Sequence, residues 1–228
     1  MSETPSGGQS WSMLASKRLY PLIACAGLVM AAAAAVVAQI SPVPYAGPLD
    51  LTVSRYVALD SGGATGFALV SLGIAALAVV AGLRAAKAQV GLLAERLTLV
   101  WGAGLVLVAA LPAVLPATAM EGIADAHHLV AVAAFVAMPA AGGLMAARFN
   151  ADERWRPVAR VVEWLALAGG FGLLALTYVA LPGHGVLIGL VEWSLVGTGA
   201  ALTGVQAVTL ARLSLVRNTA PASHAVLS

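Results

Sequence analysis

Leu19–Ile40 reads LYPLIACAGLVMAAAAAVVAQI, a run with no charged side chain that follows directly on Lys17 and Arg18. A secretory h-region is about 7 to 15 residues long, whereas a helix that spans the roughly 30 Å hydrocarbon core needs about 20. The run has the second length, so it reads as a permanent spanning helix, although Val37-Ala38 before Gln39 has the small-residue character of a weak cleavage site. A strand of a membrane barrel would place a polar residue at every second position, and Ala31 to Val37 does not. Helix in lipid is the reading.

The same pattern recurs along the chain. Further apolar segments of spanning length run approximately from Ala64 to Leu83, Leu97 to Leu115, Ile123 to Ala147, Val161 to Leu181 and Gly185 to Ala211. The chain is 61% hydrophobic and 10% charged, with a mean hydropathy of +0.93; an ordinary soluble domain is about 25% charged. The fold class is therefore all-α, a polytopic membrane bundle of about six transmembrane helices. Residues 18–212 form the membrane domain, between polar segments 1–17 and 213–228 whose small polar composition suits disordered tails.

Orientation follows from the basic residues. Lys17 and Arg18, then Arg84, Lys87 and Arg96, then Arg148, Arg154, Arg156 and Arg160, and finally Arg212 and Arg217 all fall on one side of a six-span path, leaving only Arg55 on the other. By the positive-inside rule both termini are cytoplasmic and the membrane is the cell membrane, crossed several times. These residues lie scattered between apolar segments and form no basic patch with aromatic platforms, so the partner they imply is the lipid bilayer and not a nucleic acid. The single cysteine, Cys25, has no intramolecular disulfide partner. No nucleotide-binding glycine loop or separate soluble domain interrupts the spans, and protein partners are not legible.

The layout has a precedent. A polar first outer loop ends in Ser54-Arg55-Tyr56, a glycine-rich turn opens the second span, the third closes in Leu111-Pro112-Ala113, and Gly122 with His127 or His128 opens a fourth that reads Phe135 to Pro139 and closes with Arg148. This resembles the bacterial six-helix membrane family catalogued as domain of unknown function 998, from about Arg18 to Arg212. The resemblance implies a fold and a membrane location. It implies no activity and no catalytic residue.

Ionisable groups on the outer side or inside a span are the candidates for chemistry, since they are costly in lipid. Glu121, Asp125 and His128 fall on one stripe if Met120 onward is helical, with His127 about 100° away from His128. Two carboxylates and an imidazole can act as acid and base or hold a metal, with Asp125, His128 and His184 as candidate ligands. Haem between His128 and His184 is a further arrangement; the residues name no cofactor. The plainer reading takes Thr118-Ala119-Met120-Glu121 as a capping box, with Asp125 near the helix start and the histidines at headgroup level.

Glu192 lies within the last span, where a proton carrier, a ligand and a partner to Arg55 are all open readings. Glu163 is placed to pair with Arg160 three residues before it. No Gly-x-Ser-x-Gly elbow surrounds Ser54, Ser61 or Ser71. Trp101, Trp164 and Trp193 fit an aromatic belt, and Gly169, Gly170, Gly172, Gly197 and Gly199 are expected to face neighbouring helices. The functional expectation is a binding, transport-accessory or envelope-maintenance protein. Its alternative is an intramembrane hydrolase or metalloenzyme acting at the outer leaflet through Glu121, Asp125, His128, His184 and Glu192.

Overall fold

The computed structural model describes residues 7–40, 51–60, 63–114, 120–183 and 185–219. Among them are seven helices: α1 (Gly7–Ile40), α2 (Val53–Leu59), α3 (Ala64–Ala85), α4 (Leu92–Val114), α5 (Met120–Ala151), α6 (Arg156–Ala180) and α7 (Ile188–Thr219). Six of these contain a stretch long and apolar enough to cross a membrane: Leu19–Ile40, Ala64–Ala85, Leu92–Leu111, Ala126–Ala151, Arg156–Ala180 and Ile188–Leu215. Every expected span is present, several of them displaced by a few residues. The ends move because a helix continues into polar sequence as long as its backbone stays bonded, which hydropathy does not register. The helices α1 and α7 accordingly reach into the segments 1–17 and 213–228.

The long helices pack in a ring in the order α1, α3, α4, α5, α6, α7, which closes through α7 on α1. Two further contacts, α3 with α7 and α5 with α7, cross the ring and fill its middle. The helix α3 is the most enclosed, with 72% of its most apolar window buried, against 17% for α6, which therefore offers most of its surface to lipid. In lipid there is no hydrophobic drive between helices, so close packing has to hold them together. The α3–α4 crossing shows how: a Cβ added at Gly73 would lie 2.6 Å from the Gly102 carbonyl oxygen, and one added at Gly102 would lie 3.0 Å from that of Gly73. Only a glycine pair lets these two backbones meet.

The expected set of packing glycines divides. Gly169 sits against the Pro139 ring, Gly172 against Leu195 and Gly199 against the Trp101 ring. Gly170 and Gly197 have nothing within 4 Å of an added Cβ, so these two do not serve helix contacts within the chain. Adjacent residues on a helix point about 100° apart, and the pattern Gly169-Gly170 cannot say which one faces inward. Trp101 also departs from expectation. It is 1% exposed, inside the bundle, and so is no belt residue. Trp164, at 64% exposed, does suit a belt.

The short helix α2 was not anticipated from hydropathy, because seven residues are too few to give a membrane signal. Its sequence nevertheless carries the pattern of a docked helix. Thr52 is its N-cap, the Thr52 hydroxyl accepting the Arg55 N–H at 3.1 Å. Val53, Tyr56 and Val57 form an i, i+3, i+4 stripe and are all buried. Through that stripe α2 rests on α3, α4 and α7 and lies across one end of the bundle.

Candidate functional site

Glu192, one turn into α7, is the most informative of the candidate groups. Its Oε2 accepts the backbone N–H of Val53, the first residue of α2, at 2.7 Å. The first four N–H groups of any helix lack partners within it. In α2 the Thr52 hydroxyl satisfies the Arg55 N–H, and Glu192, from the far end of the sequence, satisfies that of Val53. The neighbouring residue adds a second fastening, since the Trp193 ring meets the Tyr56 ring edge to face with centroids 6.3 Å apart. One turn of α7 thus holds α2 by a charge-assisted hydrogen bond and an aromatic contact.

Of the three readings open for Glu192, a pairing with Arg55 is not the one formed here. Arg55 is exposed, and the ion pairs among the described residues are Arg84–Glu95 and Asp152–Arg154. A backbone N–H is fixed in place once α2 is docked, whereas an arginine would have to give up several rotamers and its hydration to reach the same carboxylate. The expected Arg160–Glu163 pair is likewise absent from these ion pairs, and both side chains are exposed.

Beneath α2 lies a small void of about 20 Å³ bordered by Val53, Ser54, Leu69, Leu105, Phe135 and Val196. A water needs two to four polar partners, and of these residues only Ser54 carries a polar side chain. Apolar side chains therefore make up nearly all of the lining of this void.

His128 stands in the third turn of α5 and is exposed. His127 and His128 lie edge to face with centroids 6.1 Å apart and planes at 76°, in keeping with their different helix faces. The His127 Nε2 is enclosed and has no hydrogen-bond partner among the described residues. The helices that carry His128 and Glu192, α5 and α7, are in contact. Glu121 and Asp125 belong to the first turns of α5, but their side chains lie outside the described residues, as do His184 and the Thr118 end of the proposed capping box. Among the described residues no three His, Cys, Asp or Glu side chains gather as a metal site would require.

At the opposite end, the α5–α6 connection is held by Asp152 and Arg154. The Asp152 carboxylate accepts the Arg154 N–H, Nε and Nη2 at 3.0, 3.1 and 2.8 Å. Those bonds hold the Asp152 carboxyl below the usual carboxylate range. Phe149 and Trp155 stack beside them, 4.6 Å apart and nearly parallel.

Two things at the site escaped the sequence: that Glu192 would bond a backbone group, and that Trp193 would meet Tyr56. The Thr52 cap and the 53, 56, 57 stripe were the signal for α2, and a docked α2 calls for an acceptor at its first N–H.

No curated protein and no solved structure matches the chain. The family model described as "Protein of unknown function (DUF998)" matches residues 25–209, which takes in all six spans in large part. The chain belongs to the DUF998 family of proteins of unknown function.

Proposed function

We propose that this is a plasma-membrane protein with cytoplasmic termini, its residues 18–212 forming one transmembrane unit, that works as a binding, transport-accessory or envelope-maintenance protein. The observation that carries this reading is the use of Glu192. One of its oxygens accepts the Val53 N–H and so fastens α2 across the end of the bundle, a structural use that accounts for a carboxylate in this span. That is the economy of a cap. The basic residues support the orientation, and with it the assignment of α2 to the outer face.

A second reading has one observation in its favour. The helices that carry His128 and Glu192 are packed against one another, an arrangement that an outer-leaflet hydrolase or metalloenzyme would complete with Glu121, Asp125 and His184. Metal analysis of the full chain, purified with its lipid retained, separates the two. The binding reading expects far less than one equivalent of zinc or another transition metal. One equivalent that disappears in both His128→Ala and His184→Ala would establish the metalloenzyme geometry in its place.

A further inference from the structure

At the other end of the molecule from α2, and on its lipid-facing side, α5 and α6 part to leave a groove of about 850 Å³, within the ~300–1,000 Å³ typical of ligand sites. Val136, Gly143 and Asn150 mark its course along α5, and Leu174, Gly170 and Glu163 mark it along α6. Val136 to Asn150 is about 21 Å of helix at 1.5 Å per residue. That is more than the ~15 Å depth of one hydrocarbon leaflet, so the groove runs from the interface to beyond the midplane.

Its floor is made by glycines that the fold does not otherwise use. Gly142 and Gly169 face protein: a Cβ at Gly142 would meet Ala166 and Leu202, and one at Gly169 would meet Pro139. Their neighbours Gly143 and Gly170 border the groove and have nothing within 4 Å. The α5–α6 packing is complete without them, and they leave a channel the width of a side chain open to the bilayer.

The groove is apolar except at one end. There Glu163 and Asn150 border it, and Glu163 has no ion-pair partner among the described residues. Its position at the start of α6, beside the arginine-rich connection, puts it at headgroup level. A carboxylate at the head of an acyl-sized groove selects the charge of what lies there. An anionic lipid would bring like charges together, and a choline head has no N–H to donate. A primary ammonium offers three donors to the Glu163 carboxylate and the Asn150 amide oxygen. Arg160, one turn earlier on α6 and also exposed, has the sign to meet a phosphate.

We propose that the α5–α6 groove binds one phospholipid with a primary-ammonium headgroup, of the ethanolamine class, its acyl chain over Gly143 and Gly170 and its ammonium on Glu163. This site is independent of Glu192 and of the reading given to α2.

The test uses the full chain in phosphatidylcholine vesicles doped with phosphatidylethanolamine carrying a diazirine on its acyl chain, alongside phosphatidylglycerol and phosphatidylcholine probes with the same chain. We expect photolabel on peptides 136–150 and 163–174, about fivefold stronger from the ethanolamine probe than from the glycerol probe, as one partly solvated charge pair provides. Gly143→Leu and Gly170→Leu should abolish that label with helix content and thermal unfolding unchanged. Glu163→Gln should keep the label and lose the preference between headgroups. If the leucine variants fail to fold, Glu163→Gln, an exposed substitution, decides the matter by itself: an unchanged preference overturns the proposal. It is also overturned by label spread evenly onto exposed α1 positions such as Val29 and Val36. Chain-to-chain disulfides formed by a Gly143→Cys variant at the expense of lipid labelling would overturn it too, and would give the groove to a second copy of the chain.

Discussion

The Glu192 carboxylate accepts the Val53 backbone N–H at 2.7 Å across 139 residues of sequence, so the last span closes the helix that precedes the second. Removing a capping acceptor costs about 0.5–2 kcal/mol, and stranding a buried N–H costs about 1–3 kcal/mol, so the two ranges overlap. Glu192→Ala should therefore destabilise the protein by about that amount in thermal or denaturant unfolding. Glu192→Gln, which keeps an acceptor oxygen, should lose less. Arg55→Gln should change neither the wild type nor the Glu192→Gln variant. A clear rescue by the double substitution would mean that Arg55, and not Val53, is the partner in the membrane.

The glycines of the last two spans make a sharper test of packing than their number suggests. Gly199→Leu and Gly169→Leu force a side chain into the Trp101 and Pro139 rings, and overpacking of that kind costs about 1–3 kcal/mol or more. Gly170→Leu and Gly197→Leu enter open space and should leave the folded yield close to wild type. Fluorescence size-exclusion of tagged variants reads this directly. Equal loss at all four positions would show that Gly170 and Gly197 are covered by something other than this chain.

Number, type and approximate bounds of the spans were legible because lipid imposes one rule, about twenty apolar residues with all backbone groups satisfied internally, and the chain obeys it six times. Neighbourhoods were not legible. Hydropathy is nearly uniform around α3, α4, α5 and α7, so the pattern there does not separate lipid-facing from bundle-facing residues, and Trp101 proves to lie inside. The helix α6 is more one-sided, but a glycine pair such as Gly169-Gly170 adds nothing to that signal, and Gly170 proves to face open space. Glu192 stood out for the opposite reason, as a charge in an apolar span. What it bonds to depends on α2, whose signal is seven residues long. The Arg160–Glu163 pair looked right by spacing and is not formed, because exposed side chains gain too little from pairing to be held in register.

The α5–α6 connection carries a predictable response to pH. With its carboxyl held below the usual range by Arg154, Asp152 contributes in full above the ordinary aspartate value of about 4, and the contribution is lost as pH falls through the lowered value. Hydrogen exchange at Trp155, beside the pair, should be faster in Asp152→Asn than in wild type at pH 7. The difference should vanish at the acid end, after correction for intrinsic exchange. The effect is small, since Arg154 is exposed and Asp152 only partly covered, and a difference that stays constant with pH would detach it from this ion pair.

Topology is open to a direct measurement. Reporter fusions at either terminus should report the cytoplasm, and one inserted between Pro42 and Asp50, ahead of the docked α2, should report the outside. Six spans require the two termini to agree. An external C terminus beside a cytoplasmic N terminus would mean that one of the six helices does not cross.

The choice between a cap and a catalytic group at Glu192 can be made in a deletion strain that shows any phenotype. If Glu192 only fastens α2, function should follow the amount of folded protein: Glu192→Gln should complement in proportion to its abundance, and a second-site stabilising change elsewhere in the bundle should restore it. His128→Ala should then complement fully, because the group that Glu192 caps is the Val53 N–H and not His128. If Glu192 is used chemically, Glu192→Gln should instead be present at wild-type level and inactive, and no stabilising change should recover it. His128→Ala and His184→Ala should share that loss, since one site needs all of its groups. Abundance must be measured with phenotype, because a loss of about 1–2 kcal/mol can by itself lower steady-state levels several-fold. An inactive, fully abundant Glu192→Gln together with an inactive His128→Ala would end the cap reading.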